Sequence, residues 1–182
     1  AVQKRIVLKN CGLIDPKSID SYMKKGGFSA LKKARTQMTP ESIIAEVTES
    51  GLLGRGGAGF SCGMKWNLAR AQEADQKFIV CNADEGEVGT FKDRYILQHD
   101  PFTLIEAIAI AGWAVGATKA FLYLRAEYHF LSGLLLNAIR QAKDRGFLEH
   151  TQIELREGAG AYICGEESAL MNSIERMRGE QR

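Results

Sequence analysis

Gly54, Gly56, Gly57 and Gly59 fall within six residues, in the segment Gly54-Arg55-Gly56-Gly57-Ala58-Gly59-Phe60. Each glycine removes a Cβ, so successive amide N–H groups can converge on one anionic or planar ligand. A tight turn between helices needs one glycine; four point to a nucleotide cradle. Gly54, Gly56 and Gly59 also satisfy the G-x-G-x-x-G spacing of dinucleotide-binding folds, but that fingerprint needs a strand just before its first glycine. Here Pro40 to Ser50 reads as a helix: Ile43, Ile44 and Val47 share a face, Thr39 suits the N-cap, Pro40 the first position, and Gly51 the far end. Lys65 and Trp66 follow Gly63 where a Walker loop would require Gly-Lys-Ser/Thr, so that loop is excluded.

Two further segments combine small residues with amides and carboxylates: Asn82-Ala83-Asp84-Glu85-Gly86-Glu87-Val88-Gly89-Thr90 and Glu157-Gly158-Ala159-Gly160-Ala161-Tyr162-Ile163-Cys164-Gly165-Glu166-Glu167-Ser168. Each follows a strand candidate, and ligands gather at the carboxyl ends of strands in a parallel sheet. The strand candidates are Lys77 to Ala83, Lys119 to Arg125 and Gln152 to Arg156. Helices Phe102 to Val115 and Tyr128 to Arg145 supply the crossovers, the first opened by Asp100-Pro101. The fold class is therefore α/β, a Rossmann-like parallel sheet flanked by helices on both faces. Ahead of it, Arg5 to Lys9 is expected as a short strand. Ile19 to Lys25 and Phe28 to Arg35 are expected as helices separated by Gly26-Gly27. Residues 1–50 thus read as a small, mostly helical extension and residues 51–182 as the α/β domain.

Composition narrows the function. The 182 residues are 45% hydrophobic, enough for a core, and the net charge of +2 with interspersed signs offers no footprint for nucleic acid or an anionic membrane. The apolar run Phe102 to Val115 is shorter than the ~20 residues of a bilayer-crossing helix. No charged leader precedes an apolar stretch, which argues against secretion. Cys11, Cys62, Cys81 and Cys164 form no C-x-x-C pair, so no metal cage is expected. Their scatter in an apolar-rich chain suggests free thiols in a reducing, cytoplasmic setting. Cys62 and Cys164 lie in glycine-rich segments, near any ligand those hold.

These segments together resemble one family. The glycine loop, Gly63-Met64-Lys65-Trp66, Asn82-Ala83-Asp84-Glu85-Gly86-Glu87, Gly89-Thr90-Phe91-Lys92-Asp93-Arg94 and Gly158 to Glu167 resemble the flavoprotein subunit of respiratory complex I. They also resemble the related diaphorase subunits of soluble and bifurcating NAD(P)-linked hydrogenases and of NAD-dependent formate dehydrogenases. Asn10 to Pro16 looks more like the soluble relatives.

The resemblance implies a site for FMN, which takes hydride from NADH at N5 and passes electrons singly to iron–sulfur clusters. It places Gly54, Arg55, Gly56, Gly57, Ala58 and Gly59 along the flavin and Lys65 at its phosphate or ribityl end. Asn82, Asp84 and Glu85 would meet the ribityl hydroxyls and ring edge, with Gly165, Glu166 and Glu167 on the other side and Tyr162 near the isoalloxazine. Phe60 would stack on adenine, and Glu87 and Glu167 would bound the NADH pocket. Those carboxylates accept ribose hydroxyls and repel a 2′-phosphate, which favours NADH over NADPH. No catalytic acid or base is implied, because the flavin carries the chemistry.

The sequence departs from the family at Leu68, where a second adenine-stacking aromatic is common, leaving Phe60 alone. Ser61-Cys62 replaces a proline and a small residue, and Val88 replaces a proline, which relaxes the loops. Ser168 keeps a hydroxyl where the family has threonine. The family continues into a ubiquitin-like domain and a helical domain with a [4Fe–4S] cluster, so the sequence is expected to be the flavin part of a longer subunit. The expected partner is a [2Fe–2S] thioredoxin-like subunit with further iron–sulfur or hydrogenase subunits. The alternatives are a flavin-binding scaffold without turnover and a plain phosphate-binding domain. Lys92, Asp93 and Arg94 read as structural ion pairs, Trp66 and Trp113 as core anchors, and His99, His129 and His150 as residues without a chemical role.

Overall fold

In the computed structural model, which describes residues 4–158 and 167–175 apart from the side chain of Glu167, three strands form one parallel sheet. They are β1 (Phe78–Ala83), β2 (Lys119–Leu124) and β3 (Gln152–Glu157), in the order β1-β2-β3. Ala83, Leu124 and Glu157 lie in register, so all three strands deliver the chain to the same edge. The helices are α1 (Ile19–Lys24), α2 (Ser29–Gln37), α3 (Pro40–Glu49), α4 (Cys62–Ala71), α5 (Lys92–His99), α6 (Pro101–Val115), α7 (Ser132–Asp144) and α8 (Glu167–Ile174). A 3-10 segment, Ala126–Leu131, joins β2 to α7.

α6 is the central element. Asp100 accepts a hydrogen bond from the Thr103 amide, Pro101 opens the first turn, and Gly116 ends the helix with φ 83°. Its Phe102, Ile105 and Ala109 are fully buried against Ala120, Leu122 and Leu124 of β2 and Leu135 and Ala138 of α7. Burying each such leucine or phenylalanine contributes about 1.5–3 kcal/mol. α6 and α7 cover the same face of the sheet. The reason is topological: successive right-handed crossovers between neighbouring parallel strands put both helices on one side. On the other face α8 lays Leu170 and Ile174 on Tyr123, while Phe78 and Val80 remain 48% and 39% exposed. The expected cover on both faces is therefore unequal among the described residues.

Residues 6–13 form consecutive turns, with Lys9 donating to the Ile6 carbonyl and Cys11 to that of Leu8. This corrects the expected strand at Arg5 to Lys9: the segment spends its backbone groups on local turn bonds and pairs with neither edge of the sheet, while Cys11 is buried. The expected helix Tyr128 to Arg145 begins as the 3-10 segment, and Tyr128 itself has non-helical φ −97° and ψ 16°. α4 had no counterpart in the sequence pattern, because Met64 and Leu68 are exposed and only Gly63 is buried. A Cβ on Gly63 would lie 2.6 Å from the Thr48 amide nitrogen, so α3 and α4 meet there backbone to backbone.

α1 and α2 dock on the α6–α7 layer through a buried polar network. Glu106 of α6, 7% exposed, accepts hydrogen bonds from the Tyr22 hydroxyl at 2.5 Å and from the Phe28 and Leu31 amides at 2.8 and 3.0 Å. It thereby caps α2, whose N-cap residue Phe28 supplies no side-chain bond of its own.

Candidate functional site

The glycine loop is built between α3 and α4. Thr39 and Ser42 form a reciprocal capping box at the start of α3, and Ser61 caps α4 by accepting from the Met64 amide. Ile43, Ile44 and Ala114 form a core with Trp66 and Trp113 at its border, seating both helices on α6. The loop closes at its base through Gly54 N–H to the Phe60 carbonyl and Cys62 N–H to the Leu52 carbonyl, both 2.9 Å. Between these bonds the amides of Arg55, Gly56, Gly57, Ala58 and Gly59 meet no acceptor among the described residues. A Cβ on Gly56 or Gly57 would touch nothing within 4 Å, and neither has the positive φ seen at Gly59 (66°). Nothing among the described residues asks for glycine at 56 and 57; an external surface lying against the loop would.

Phe60 is half-exposed, and Met64 and Leu68 continue from it as an apolar stripe along α4. Cys62 opens α4 as a half-buried free thiol; burial raises its pKa, with Lys65 acting in the opposite sense. That places a neutral thiol beside the loop.

The second part of the site lies at the carboxyl edge of the sheet. The Asn82 side-chain oxygen accepts from the Asp84 amide at 3.0 Å, folding the chain away from β1. Asp84 is half-buried, and its Oδ2 is enclosed without a hydrogen-bond partner. Burial raises its pKa, Arg125 lowers it, and Glu127 raises it further. The other enclosed, unpartnered polar atoms among the described residues belong to Arg35, Trp113, His150 and Arg156.

Glu85 behaves differently. It is 5% exposed, and its carboxylate accepts from the Asp93 amide at 2.9 Å, the Arg94 amide at 3.3 Å and the Tyr128 hydroxyl at 2.9 Å. Burial would raise its pKa, but these bonds together with Lys92 hold it below the usual carboxylate range. Its side chain caps α5, whose N-cap Phe91 makes no side-chain bond. The intervening loop carries Glu87, exposed, with its carbonyl accepting from the Thr90 amide and hydroxyl, and Gly89 at φ 82°. Lys92 pairs with Asp93 at 2.8 Å and reaches Glu85 at 3.7 Å.

The structure thus brings Asn82, Asp84, Glu85 and the Glu87 loop to one edge, next to the ends of β2 and β3. Gly54, Arg55, Gly56, Gly57, Ala58, Gly59, Phe60 and Lys65 form a separate contiguous loop and helix start. Tyr162, Cys164, Gly165 and Glu166 lie outside the described residues, and Glu167 is described only as the first residue of α8. Sequence reasoning missed Arg125 and Tyr128, which meet Glu85 from the far side: Arg125 donates to its backbone carbonyl and Tyr128 to its carboxylate. The signal available was their place just after the second strand.

An open parallel sheet with an amide-rich glycine loop and a polar carboxyl edge defines a nucleotide- or cofactor-binding α/β domain. Residues 47–182 match the Complex1_51K family, described as the Nuo51 FMN-binding domain, and the chain belongs to that family. It is 48% identical to the NADP-reducing hydrogenase subunit HndC of Solidesulfovibrio fructosivorans, over 98% of this chain and 38% of that protein. It is 49% identical to an NADH-quinone oxidoreductase subunit of Aquifex aeolicus (strain VF5), over 91% of this chain and 40% of that one. A crystal structure of an NAD+-reducing [NiFe]-hydrogenase in the H2-reduced state superposes with a TM-score of 0.74 at 46% identity, covering 79% of this chain and 25% of the other. The chain spans about two fifths of the curated relatives it matches.

Proposed function

We propose that this chain is the flavin module of an NADH:acceptor oxidoreductase, working as a diaphorase within a larger assembly. The observation that carries the reading is the set of hydrogen-bonding groups without a protein partner among the described residues: five amides of the largely exposed glycine loop and a buried Asp84 oxygen without a donor. FMN fits both. Its phosphate is an acceptor suited to clustered amide N–H groups and the Lys65 ammonium, and its ribityl hydroxyls are donors suited to Asp84. The fit extends to Gly56 and Gly57, which have open space around them and no side chain to keep a ligand off the backbone.

In this reading the loop from Gly54 to Gly59 and Lys65 hold the phosphate end, and Asn82 and Asp84 hold the ribityl chain and ring edge. Glu85 acts by fixing the chain between Asp84 and Asp93. Tyr162, Gly165, Glu166 and Glu167 complete the flavin site from the third strand's loop. Bound FMN supplies the redox chemistry, accepting hydride at N5 and releasing electrons one at a time. The protein's part is to bind, orient and exclude water. Phe60 presents a half-exposed ring for adenine. Glu87 and Glu167 accept ribose hydroxyls and disfavour a 2′-phosphate, so the expected donor is NADH even though one relative is named for NADP.

Electrons then pass to iron–sulfur clusters, including a [4Fe–4S] cluster outside this chain, and to a [2Fe–2S] thioredoxin-like partner or hydrogenase subunits. Relatives named as parts of respiratory and hydrogenase complexes support this placement. No helix among the described residues is long and apolar enough to cross a membrane; a cytoplasmic or matrix-side position belongs to the same reading. The test is a visible spectrum of the purified protein after anaerobic incubation with FMN and desalting, followed by NADH. Retained flavin bands that bleach with NADH are expected. Retained flavin that NADH leaves oxidised would refute the dehydrogenase role and support a scaffold.

A further inference from the structure

The 3-10 segment Ala126–Leu131 reaches in two directions. Towards β1, the Tyr128 hydroxyl donates to Glu85 Oε2 at 2.9 Å, and Arg125, just before the segment, donates to the Glu85 carbonyl. Arg125 is steadied in turn by Glu127 at 2.8 Å. Towards β3, His129 Nδ1 lies 2.7 Å from Glu157 Oε2, and Ser132, the first residue of α7, donates to Glu157 Oε1 at 2.5 Å.

Each contact falls at a base of a loop assigned to the flavin site. Glu85 ends the turn that presents Asp84 and caps α5, so it closes the loop carrying Glu87. Glu157 is the last residue of β3. Gly158 follows it so closely against Tyr123 that a Cβ there would lie 2.8 Å from the tyrosine hydroxyl. That same hydroxyl is 2.8 Å from Ser173 Oγ in α8, the helix to which the chain returns. Gly158 and α8 are therefore both referenced to Tyr123 of β2, and Glu157 to the segment after it.

We propose that the segment Ala126–Leu131 is a strap coupling the loop after β1 to the carboxyl end of β3, with Tyr128 and Glu157 as positioning residues of the flavin site. The strap works through hydrogen bonds that fix the turn after β1 and the end of β3 at once, so loosening it at either end relaxes the other. The proposal rests on the flavin reading for its ligand, while its mechanical core does not depend on it.

The experiment compares Tyr128→Phe and Glu157→Gln, their double variant and the control Tyr95→Phe, an α5 tyrosine outside the strap. Two measurements are made on the purified full chain: amide hydrogen exchange without flavin, and FMN affinity by flavin fluorescence. Glu157→Gln is expected to speed exchange at the Asp93 and Arg94 amides, which it does not touch, about threefold or more. Each single variant is expected to weaken FMN about fivefold, and the double variant by less than the product of the two, as for coupled sites. His129→Gln, at an exposed position, gives a milder form should Glu157→Gln fold poorly. Unchanged exchange at Asp93 and Arg94 in both Glu157→Gln and His129→Gln would overturn the strap, as would multiplicative losses in the double variant. If the parent chain holds no FMN, the flavin reading falls, and the exchange measurement alone decides the strap.

Discussion

Glu106→Ala tests whether a single buried carboxylate holds the N-terminal helices on the α/β layer. Its oxygens accept from the Tyr22 hydroxyl and from the Phe28 and Leu31 amides. Tyr22 stacks on Phe102 at 5.7 Å and meets Phe28 edge-on at 5.4 Å. Alanine leaves the Phe28 and Leu31 amides enclosed without an acceptor and the Tyr22 hydroxyl with only Thr103 Oγ1, at 3.2 Å. Each unsatisfied buried donor costs about 1–3 kcal/mol. The terms are not additive, because a water entering the vacated volume can serve part of the set, so the expected loss is about 3–5 kcal/mol. That is a large share of the roughly 5–15 kcal/mol that holds a domain folded. Glu106→Gln keeps one accepting oxygen but turns an N–H group towards other donors, and should lose about half as much. Tyr22→Phe removes one donor and leaves the carboxylate with two, for a loss of about 1–2 kcal/mol. The assay is equilibrium urea unfolding with far-UV circular dichroism. A loss below about 1 kcal/mol for Glu106→Ala would show that apolar packing alone seats α1 and α2, and the capping argument would fail.

Asp84→Asn should separate stability from binding. Burial raises the Asp84 pKa above its unfolded value, so ionisation opposes folding and its cost grows as pH rises from the unfolded value through the folded one. The amide should therefore be as stable as the parent or more so at pH 7 in thermal melts, while FMN affinity falls about 5- to 100-fold; a destabilised variant would refute the sign. Gly63→Ala drives a Cβ against the Thr48 backbone and should lower stability by about 1–3 kcal/mol in urea, whereas Gly56→Ala, with open space around it, should not. Hydrogen bonds from Ser132 and His129 lower the Glu157 pKa, so its contribution is present above the unfolded value and is lost as pH falls through the folded one. A circular-dichroism acid titration should accordingly show Ser132→Ala with a flatter acid limb, and parallel limbs would refute the assignment.

The sheet and α6 were legible because their signals are local and redundant. β2 alternates Ala120, Leu122 and Leu124 inward, and α6 is bounded by Asp100-Pro101 and Gly116, each with its own conformational reason. Arg5 to Lys9 carries the apolar content of a strand, but strand formation needs a partner edge, which sequence alone cannot supply. The break between Tyr128 and Ser132 was invisible for the same reason: Tyr128 leaves helical geometry where its hydroxyl reaches Glu85, 43 positions earlier. The glycine loop announced itself by composition. Glu85 did not announce its role, because a carboxylate in a polar segment reads equally as a ligand or a cap until its neighbours are known.

Helix starts divide along the same line, and the division bears on how the site is ordered. α1, α3, α4 and α6 begin at Ser18, Thr39, Ser61 and Asp100, each accepting an amide of its own first turn. α2 and α5 begin at Phe28 and Phe91, which cannot do so, and their free amides go to Glu106 and Glu85. A locally capped helix has its start written into its own first turn. A remotely capped one needs the fold in place: α2 needs α6 beneath it, and α5 needs β1 to end where it does. The loop carrying Glu87 lies between β1 and α5, so its shape depends on Glu85 and, through Tyr128, on the segment after β2. Changes in the loop's own residues should then disturb its shape less than the loss of Glu85, even though Glu87, Val88 and Phe91 stand on the surface and Glu85 is buried.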